Sequence, residues 1–376
     1  MQTTEKMAEQ RIVLAAAQGL AVRSSALVAR GLRDLSRDSN WLIKKAFTGR
    51  AEHLALSSAG QVCAIAPQGR HSAQRVVLYD IERSVPTLAL SVPNELPIAA
   101  TDLPASFAWS PAGHQLIAAW GAWQPALHVF DLGAKMLLGT FGKCRSFPGR
   151  LAWSDTGKYF VAGSSGGKRA SLRLWRAAEG AALPFSGAPA REIGAPEWIE
   201  TQAAGAEFAD EESFAGYGRA AFSPDEKSLA TVVEIRGDWA DDSIVVLGVP
   251  GLEKHNAIAA QGHVTDLTWT PDSRQMVYCA AGQAYRVAAS SVDCEPLPFG
   301  AELCACHPHL PLCACFSSWL KNSAKGRLFL VDLKRLAVFD EYAAEGIVDL
   351  RWSLDGSKAF AVTQAGLAYI YEPPLV

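Results

Sequence analysis

Residues 267–273 read Leu-Thr-Trp-Thr-Pro-Asp-Ser: two large apolar side chains two positions apart, a hydroxyl residue, then a Pro-Asp-Ser turn. Alternation of this kind puts Leu267 and Trp269 on one face of a strand, and the turn sends the chain back as a second strand. The unit recurs at residues 54–60 (LALSSAG), 107–113 (FAWSPAG), 151–157 (LAWSDTG), 220–226 (AAFSPDE), 304–310 (CACHPHL) and 350–356 (LRWSLDG). Its second large position is held by Leu56, Trp109, Trp153, Phe222, Trp269, Cys306 and Trp352, with spacings of 53, 44, 69, 47, 37 and 46 residues. Most of these spacings fit one four-stranded propeller blade, about 40 to 45 residues.

Each copy is followed by a second apolar strand, and in five copies a third strand ends in a large residue plus a polar one. These pairs are Tyr79-Asp80, Phe130-Asp131, Trp175-Arg176, Val331-Asp332 and Tyr371-Glu372. In these features the chain resembles the WD-repeat (WD40-like) family of β-propellers, with Trp175 and its counterparts in the family's Trp-Asp slot. Gly262-His263 matches the family's Gly-His dipeptide in one blade, and no copy carries a literal Trp-Asp pair. The resemblance spans residues 41–372 and implies an all-β, seven-bladed β-propeller of four-stranded antiparallel blades. Blade seven has three strands before residue 372, and residues 41–47 (WLIKKAF) are expected to supply its fourth and close the ring. Closure would leave only short, protected edges. Residues 41–376 are then the propeller and 1–40 a separate arm.

The composition suits such a fold. Hydrophobic residues make up 49% and charged residues 19% of 376, enough to fill a large core. A net charge of −3 argues against a surface built for nucleic acid, which needs an excess of Lys and Arg. The apolar run at 12–22 is flanked by balanced charges and interrupted by Gln18, so it does not read as a secretory signal, and a cytoplasmic location is expected. Residues 1–50 nevertheless carry nine Lys and Arg against four Asp and Glu. Residues 4–37 lack Pro and are rich in Ala, Leu and Val, with Arg23, Arg30 and Arg37 spaced seven apart. This pattern predicts an amphipathic basic α-helix, which could pack on the acidic propeller, dock on a partner or touch a membrane surface.

Eleven Trp must be sorted between core and surface. Trp109, Trp153, Trp269 and Trp352 hold the first-strand core position, Trp175 the third strand and Trp41 the closing strand. Trp120 and Trp123 (WGAW), Trp239 (RGDWADD) and Trp319 (SSWLKNSAKG) fall between second and third strands of blades two, four and six. The resemblance implies that these connections open on one face, where exposed Trp would form binding hot spots; loops that bury their own Trp are the alternative. The long gap between Trp153 and Phe222 predicts an insertion over residues 177–218. Between Arg191 and Arg219 lie seven carboxylates and four large aromatics with no basic residue. It reads as a solvated loop or as a segment that orders on a basic surface.

Two stretches look chemical. In CACHPHLPLCAC, Cys304, Cys306, Cys313 and Cys315 align with core-facing positions, so all four thiols share one sheet face. Core packing is the favoured reading, and a cross-hairpin disulfide or soft-metal ligation by the four is the alternative. His307 and His309 are expected in the turn, facing solvent. Residues 163–167 (GSSGG) match G-x-S-x-G around Ser165, but a third strand rather than a helix follows, which removes the nucleophile-elbow context. No P-loop, dinucleotide fingerprint or H-E-x-x-H is present, and no cofactor is implied. The expectation is a non-enzymatic protein–protein interaction scaffold that uses the loop-borne Trp residues and the N-terminal helix. A propeller enzyme or cofactor-binding protein using the central channel or the Cys cluster, and an accessory subunit of a large complex, are the alternatives.

Overall fold

The computed structural model describes residues 41–47, 51–58, 60–67, 75–91, 106–120, 126–141, 148–164, 170–177, 189–194, 214–235, 241–318 and 326–372. The arm at 1–40, with its expected helix, lies outside them. The described strands form seven four-stranded antiparallel sheets. The outermost strand of the last sheet is β1 (Trp41–Lys45). Blade one is β2 (Ala51–Leu56), β3 (Val62–Pro67), β4 (Arg75–Asp80) and β5 (Val85–Ser91). Blade two is β6 (Ser106–Trp109), β7 (Gln115–Trp120), β8 (Ala126–Asp131) and β9 (Met136–Phe141). Blade three is β10 (Pro148–Trp153), β11 (Tyr159–Ser164), β12 (Leu172–Arg176) and β13 (Arg191–Ile193).

Blade four follows with β14 (Phe214–Phe222), β15 (Ser228–Ile235), β16 (Ser243–Gly248) and β17 (Lys254–Ala259). Blade five is β18 (Val264–Trp269), β19 (Gln275–Ala280), β20 (Gln283–Ala288) and β21 (Cys294–Pro296), and blade six β22 (Leu303–Cys306), β23 (Leu312–Ser317), β24 (Gly326–Asp332) and β25 (Ala337–Ala344). Blade seven is β26 (Ile347–Trp352), β27 (Ala359–Thr363), β28 (Leu367–Tyr371) and β1. The first strands of successive blades pack on one another all the way round, from β2 against β6 to β26 against β2, so they surround the axis. β1 pairs antiparallel with β28, Trp41 opposite Tyr371 and Lys45 opposite Leu367.

The stretch 177–218 is not wholly an insertion. Residues 191–193 form the outer strand of blade three, and β14 begins at Phe214. An exposed three-residue outer strand has too little apolar alternation to be read from sequence.

The recurring turn has one chemistry. The Ser or Thr that opens it accepts the backbone N–H of the first residue of the next strand, as Ser110 does from Gln115, Ser154 from Tyr159 and Thr270 from Gln275. In blade six His307 occupies that slot, and this overturns the expectation that it faces solvent. Only 6% of it is exposed, and its Nδ1 accepts the N–H groups of His309 and Leu310. A ring nitrogen that accepts two N–H groups carries no proton, so Nε2 holds it and donates to the carbonyl of Gly356 in blade seven at 3.0 Å. His309 is exposed. At the third-strand ends the polar residue of the Trp-Asp slot also caps a turn: Asp80 accepts from Arg83 N, Asp131 from Ala134 N and Asp332 from Lys334 N.

Among the described residues there is no single core but seven, each shared by two neighbouring blades. Blades one and two share Leu78, Trp109, Leu116 and Phe130, while blades seven and one share Phe47, Leu56, Phe360 and Ile370. Three of the first-strand Trp residues also reach back to the preceding blade: Trp109 Nε1 donates to Ala55 O, Trp269 to Ala221 O and Trp352 to Ala305 O, at 2.9 to 3.1 Å. An indole N–H that would be costly to bury unpaired thereby links two sheets that share no backbone ladder.

Candidate functional site

Strands alternate in direction, so the turns between first and second strands lie at one end of the ring. The second-to-third-strand connections and the links between blades lie at the other, and that mouth is the candidate site. Its inner wall is set by a position three residues before the large apolar one. His53, Arg150, Arg219, Asp266 and Asp349 stand there in blades one, three, four, five and seven. In each of these blades the pairing of the first two strands shifts register at or beside that position. A bulge re-aims a side chain that regular alternation would bury or expose.

The two aspartates use this freedom in the same way. Asp266 accepts Leu267 N of its own bulge and Cys304 N of the next blade, while Asp349 accepts Leu350 N and, across the closure, Leu56 N at 2.9 Å. Arg219 of blade four pairs with Asp266 at 3.3 Å and donates to Thr265 O. Burial pushes the Asp266 carboxyl above the ordinary carboxylate range, with Arg219 and the two N–H donors opposing; Asp266 in turn holds the guanidinium of Arg219 above its usual value. Arg150 is exposed and lies within electrostatic reach of Arg219, Glu234 and Asp266. Gly218 gives Glu234 its room, since a Cβ there would meet the carboxylate oxygen at 2.5 Å. Around the wall two basic residues, Arg150 and Arg219, are followed by two acidic ones, Asp266 and Asp349, and the last three of these join neighbouring blades.

At the rim, acidic groups hold the connections. Asp242, 1% exposed, ends the second-to-third-strand connection of blade four. It accepts Ile235 N, Val264 N and His263 Nδ1, the last at 2.9 Å, so the Gly262-His263 dipeptide ties that connection to the link between blades four and five. In blade six Ser318 donates to the carboxylate of Glu302 on the preceding link. The stretches carrying Trp239 and Trp319 therefore start or end at a fixed rim. Trp239 and Trp319 themselves lie outside the described residues, as do Trp123 and Arg23, Arg30 and Arg37. Trp120 ends β7, and its side chain is not described.

Cys304 faces Cys315 and Cys306 faces Cys313 across β22 and β23, with Cys279 of blade five in the same core. All five are free thiols, and among the described residues no group of three or more His, Cys, Asp or Glu could hold a metal ion. Ser165 lies outside the described residues. Gly163 is explained by packing, because a Cβ there would lie 3.0 Å from Tyr217 Cβ of blade four.

The charged wall positions were missed in the sequence, although a signal was present: aligned on the large apolar residue, the repeats read R-L-A-W, R-A-A-F, D-L-T-W and D-L-R-W. A charge inside an otherwise apolar strand, repeated at one offset, marks a position that the fold treats specially.

No family model and no curated protein matches the sequence. Solved structures do match it. A chain of Kuenenia stuttgartiensis hydrazine synthase superimposes with a TM-score of 0.62 at 15% identity, covering 86% of this chain and 96% of that one. A chain of the mitotic checkpoint complex gives 0.62 at 12%, covering 91% and 98%. The β-propeller domain of Myceliophteria thermophila Cps50 (Swd1) gives 0.59 at 13%, covering 86% and 96%. At these identities the likeness is one of fold.

Proposed function

We propose that the protein is a non-enzymatic interaction scaffold of WD-repeat type that binds protein partners at the mouth bearing the blade links, with the basic segment around Arg23, Arg30 and Arg37 as a second contact. The observation that carries this reading is the anchored rim. Asp242 and Glu302 hold the bases of the connections that contain Trp239 and Trp319, so aromatic side chains projecting from them would be presented at little entropic cost. The wall charges Arg219, Asp266 and Asp349 are already engaged between blades, which suits a rigid support better than proton transfer. Two of the structural neighbours fit the same reading, one belonging to a complex and the other being a β-propeller domain by their titles. A cytoplasmic location is part of this proposal.

The test is affinity capture with the full chain, Trp123→Ala, Trp239→Ala and a chain lacking residues 1–38, each checked for melting temperature. A stoichiometric partner lost in the Trp variants at unchanged melting supports the mouth as the binding face. Partner retention in both Trp variants overturns that placement, and turnover of a small molecule in the absence of a partner overturns the scaffold reading.

A further inference from the structure

The core between blades five and six holds an unusual density of sulfur. Cys279, Cys304, Cys313 and Cys315 are fully buried there, and Cys306, partly exposed at its edge, completes the group. Hydrogen bonding sorts the four that lie on β22 and β23. Cys304 N donates to Asp266 Oδ2 at 3.0 Å and Cys306 N to Thr268 Oγ1 at 3.3 Å, both in blade five. His307 N, one residue on, donates to Leu312 O on the facing strand. Neither Cys amide is spent on β23, so Cys304 with Cys315 and Cys306 with Cys313 are non-hydrogen-bonded pairs. In such pairs the Cα atoms approach to about 4.5 Å, at the short end of the range of about 4.4 to 6.8 Å that a disulfide spans.

The two pairs differ in access. Cys304 is turned to Val277 O and lies deep, whereas Cys306 adjoins the turn built on His307. A reagent from solvent therefore meets Cys306 first, with the Cys313 thiol beside it.

We propose that Cys306 and Cys313 are a modification site: a dithiol that a hydroperoxide oxidises to a cross-strand disulfide within the folded propeller. In the first step the Cys306 thiolate attacks the terminal oxygen of the hydroperoxide. The O–O bond breaks, the alcohol leaves after taking up a proton, and Cys306 becomes a sulfenic acid. Cys313 then attacks that sulfur and releases water. Two thiols and one ROOH give one disulfide, one ROH and one H2O, the two electrons passing from sulfur to the peroxide. The Cys313 thiol and burial both hold the Cys306 thiol protonated at neutral pH, so the reaction is slow there and quickens as pH rises. A bridge at the partly exposed edge of the core is open to attack by a thiolate reductant, which makes the site reversible.

Peroxide treatment of the folded full-length protein, followed by alkylation, cleavage after Leu312 and mass spectrometry, tests this. Two of the eight thiols should disappear, as a 306–313 linkage that dithiothreitol reverses while the near-ultraviolet circular dichroism is unchanged. Cys306→Ser should leave Cys313 reduced, and Cys304→Ser should keep the linkage; Cys306→Ala replaces the serine variant if the latter does not fold. Over-oxidation of Cys306 with Cys313 still alkylatable, a linkage formed only in denaturant, or modification of Cys294 with none at Cys306 each overturns the proposal.

Discussion

His307 takes the place that serine or threonine holds in the other six turns, and the substitution has a consequence in acid. Burial lowers its pKa to about 4, with Gly356 O and Asp355 opposing, and burial does the same to His128, whose Nδ1 lies 2.9 Å from Thr140 Oγ1. Both rings are neutral when folded, and an unfolded His titrates near 6.5. Above that pH neither state takes a proton. Between about 6.5 and 4 only the unfolded chain does, so stability should fall as pH drops through this window and level off below it. The loss should approach about 3 kcal/mol per histidine. Urea denaturation at several pH values checks this, and His307→Ser should make the decline shallower; an equal slope would place the proton uptake elsewhere. Glycine offers a cleaner comparison. Gly60 and Gly113 hold the same turn position at φ +72° and +77°, but a Cβ at Gly60 would lie 2.0 Å from the Phe360 ring, while at Gly113 nothing lies within 4 Å. Gly113→Ala should cost about 1 kcal/mol for the left-handed backbone, and Gly60→Ala a further 1 to 3 kcal/mol, roughly, for overpacking. Thermal melts of the two variants measure the difference.

Among the elements, inner strands were readable in sequence and, the closing strand β1 apart, outer ones were not, for a physical reason. A first or second strand is packed on both faces by neighbouring blades, so β11 and β27 are buried along their whole length, and such strands announce themselves by apolar runs. The outer strands β13 and β21 are three residues long and largely exposed, so nothing in their composition separates them from loop. The wall charges Arg219, Asp266 and Asp349 were visible as residues but not as a set, because their role depends on a bulge and on an acceptor or donor in the adjacent blade. His307 was misread for the converse reason: a polar side chain in a turn faces solvent unless the turn itself needs it. The closing strand is the element most open to test. β1 supplies the fourth strand of blade seven, Ala46 N and Phe47 N both donate to Gly366 O, and Phe47 fills the core between blades seven and one. Removing residues 1–47 should expose the β28 edge and yield aggregated or markedly less stable protein, whereas removing 1–38 should leave the melting temperature nearly unchanged. Size-exclusion chromatography and melting distinguish the two.

At the scale of the molecule, the ring is held together by seven interfaces of similar construction, and each blade takes part in two. Damage to one interface is therefore felt by both of its blades and passed on by them. Trp352→Ala removes a side chain from the core between blades six and seven and its bond to Ala305 O, a truncation that should cost about 3 to 5 kcal/mol. Calorimetry should show the entire transition moved to lower temperature; a separate early step confined to blades six and seven would mean that the interfaces act independently. The period of the repeat disclosed this architecture because every blade needs its own copy of the same inner strand, while the mouth, made of connections that repeat nothing, gave only composition.

The pairing of Trp41 with Tyr371 joins positions about 330 residues apart, and it gives the molecule a history as well as a shape. On a ribosome adding roughly 5 to 20 residues each second, the strand made first waits on the order of tens of seconds for the one made last. Through that interval the nascent polypeptide is an unclosed arc with β1 unpaired and the face of blade one uncovered, so the period of greatest vulnerability to misassociation ends only when the last blade emerges and the circle shuts.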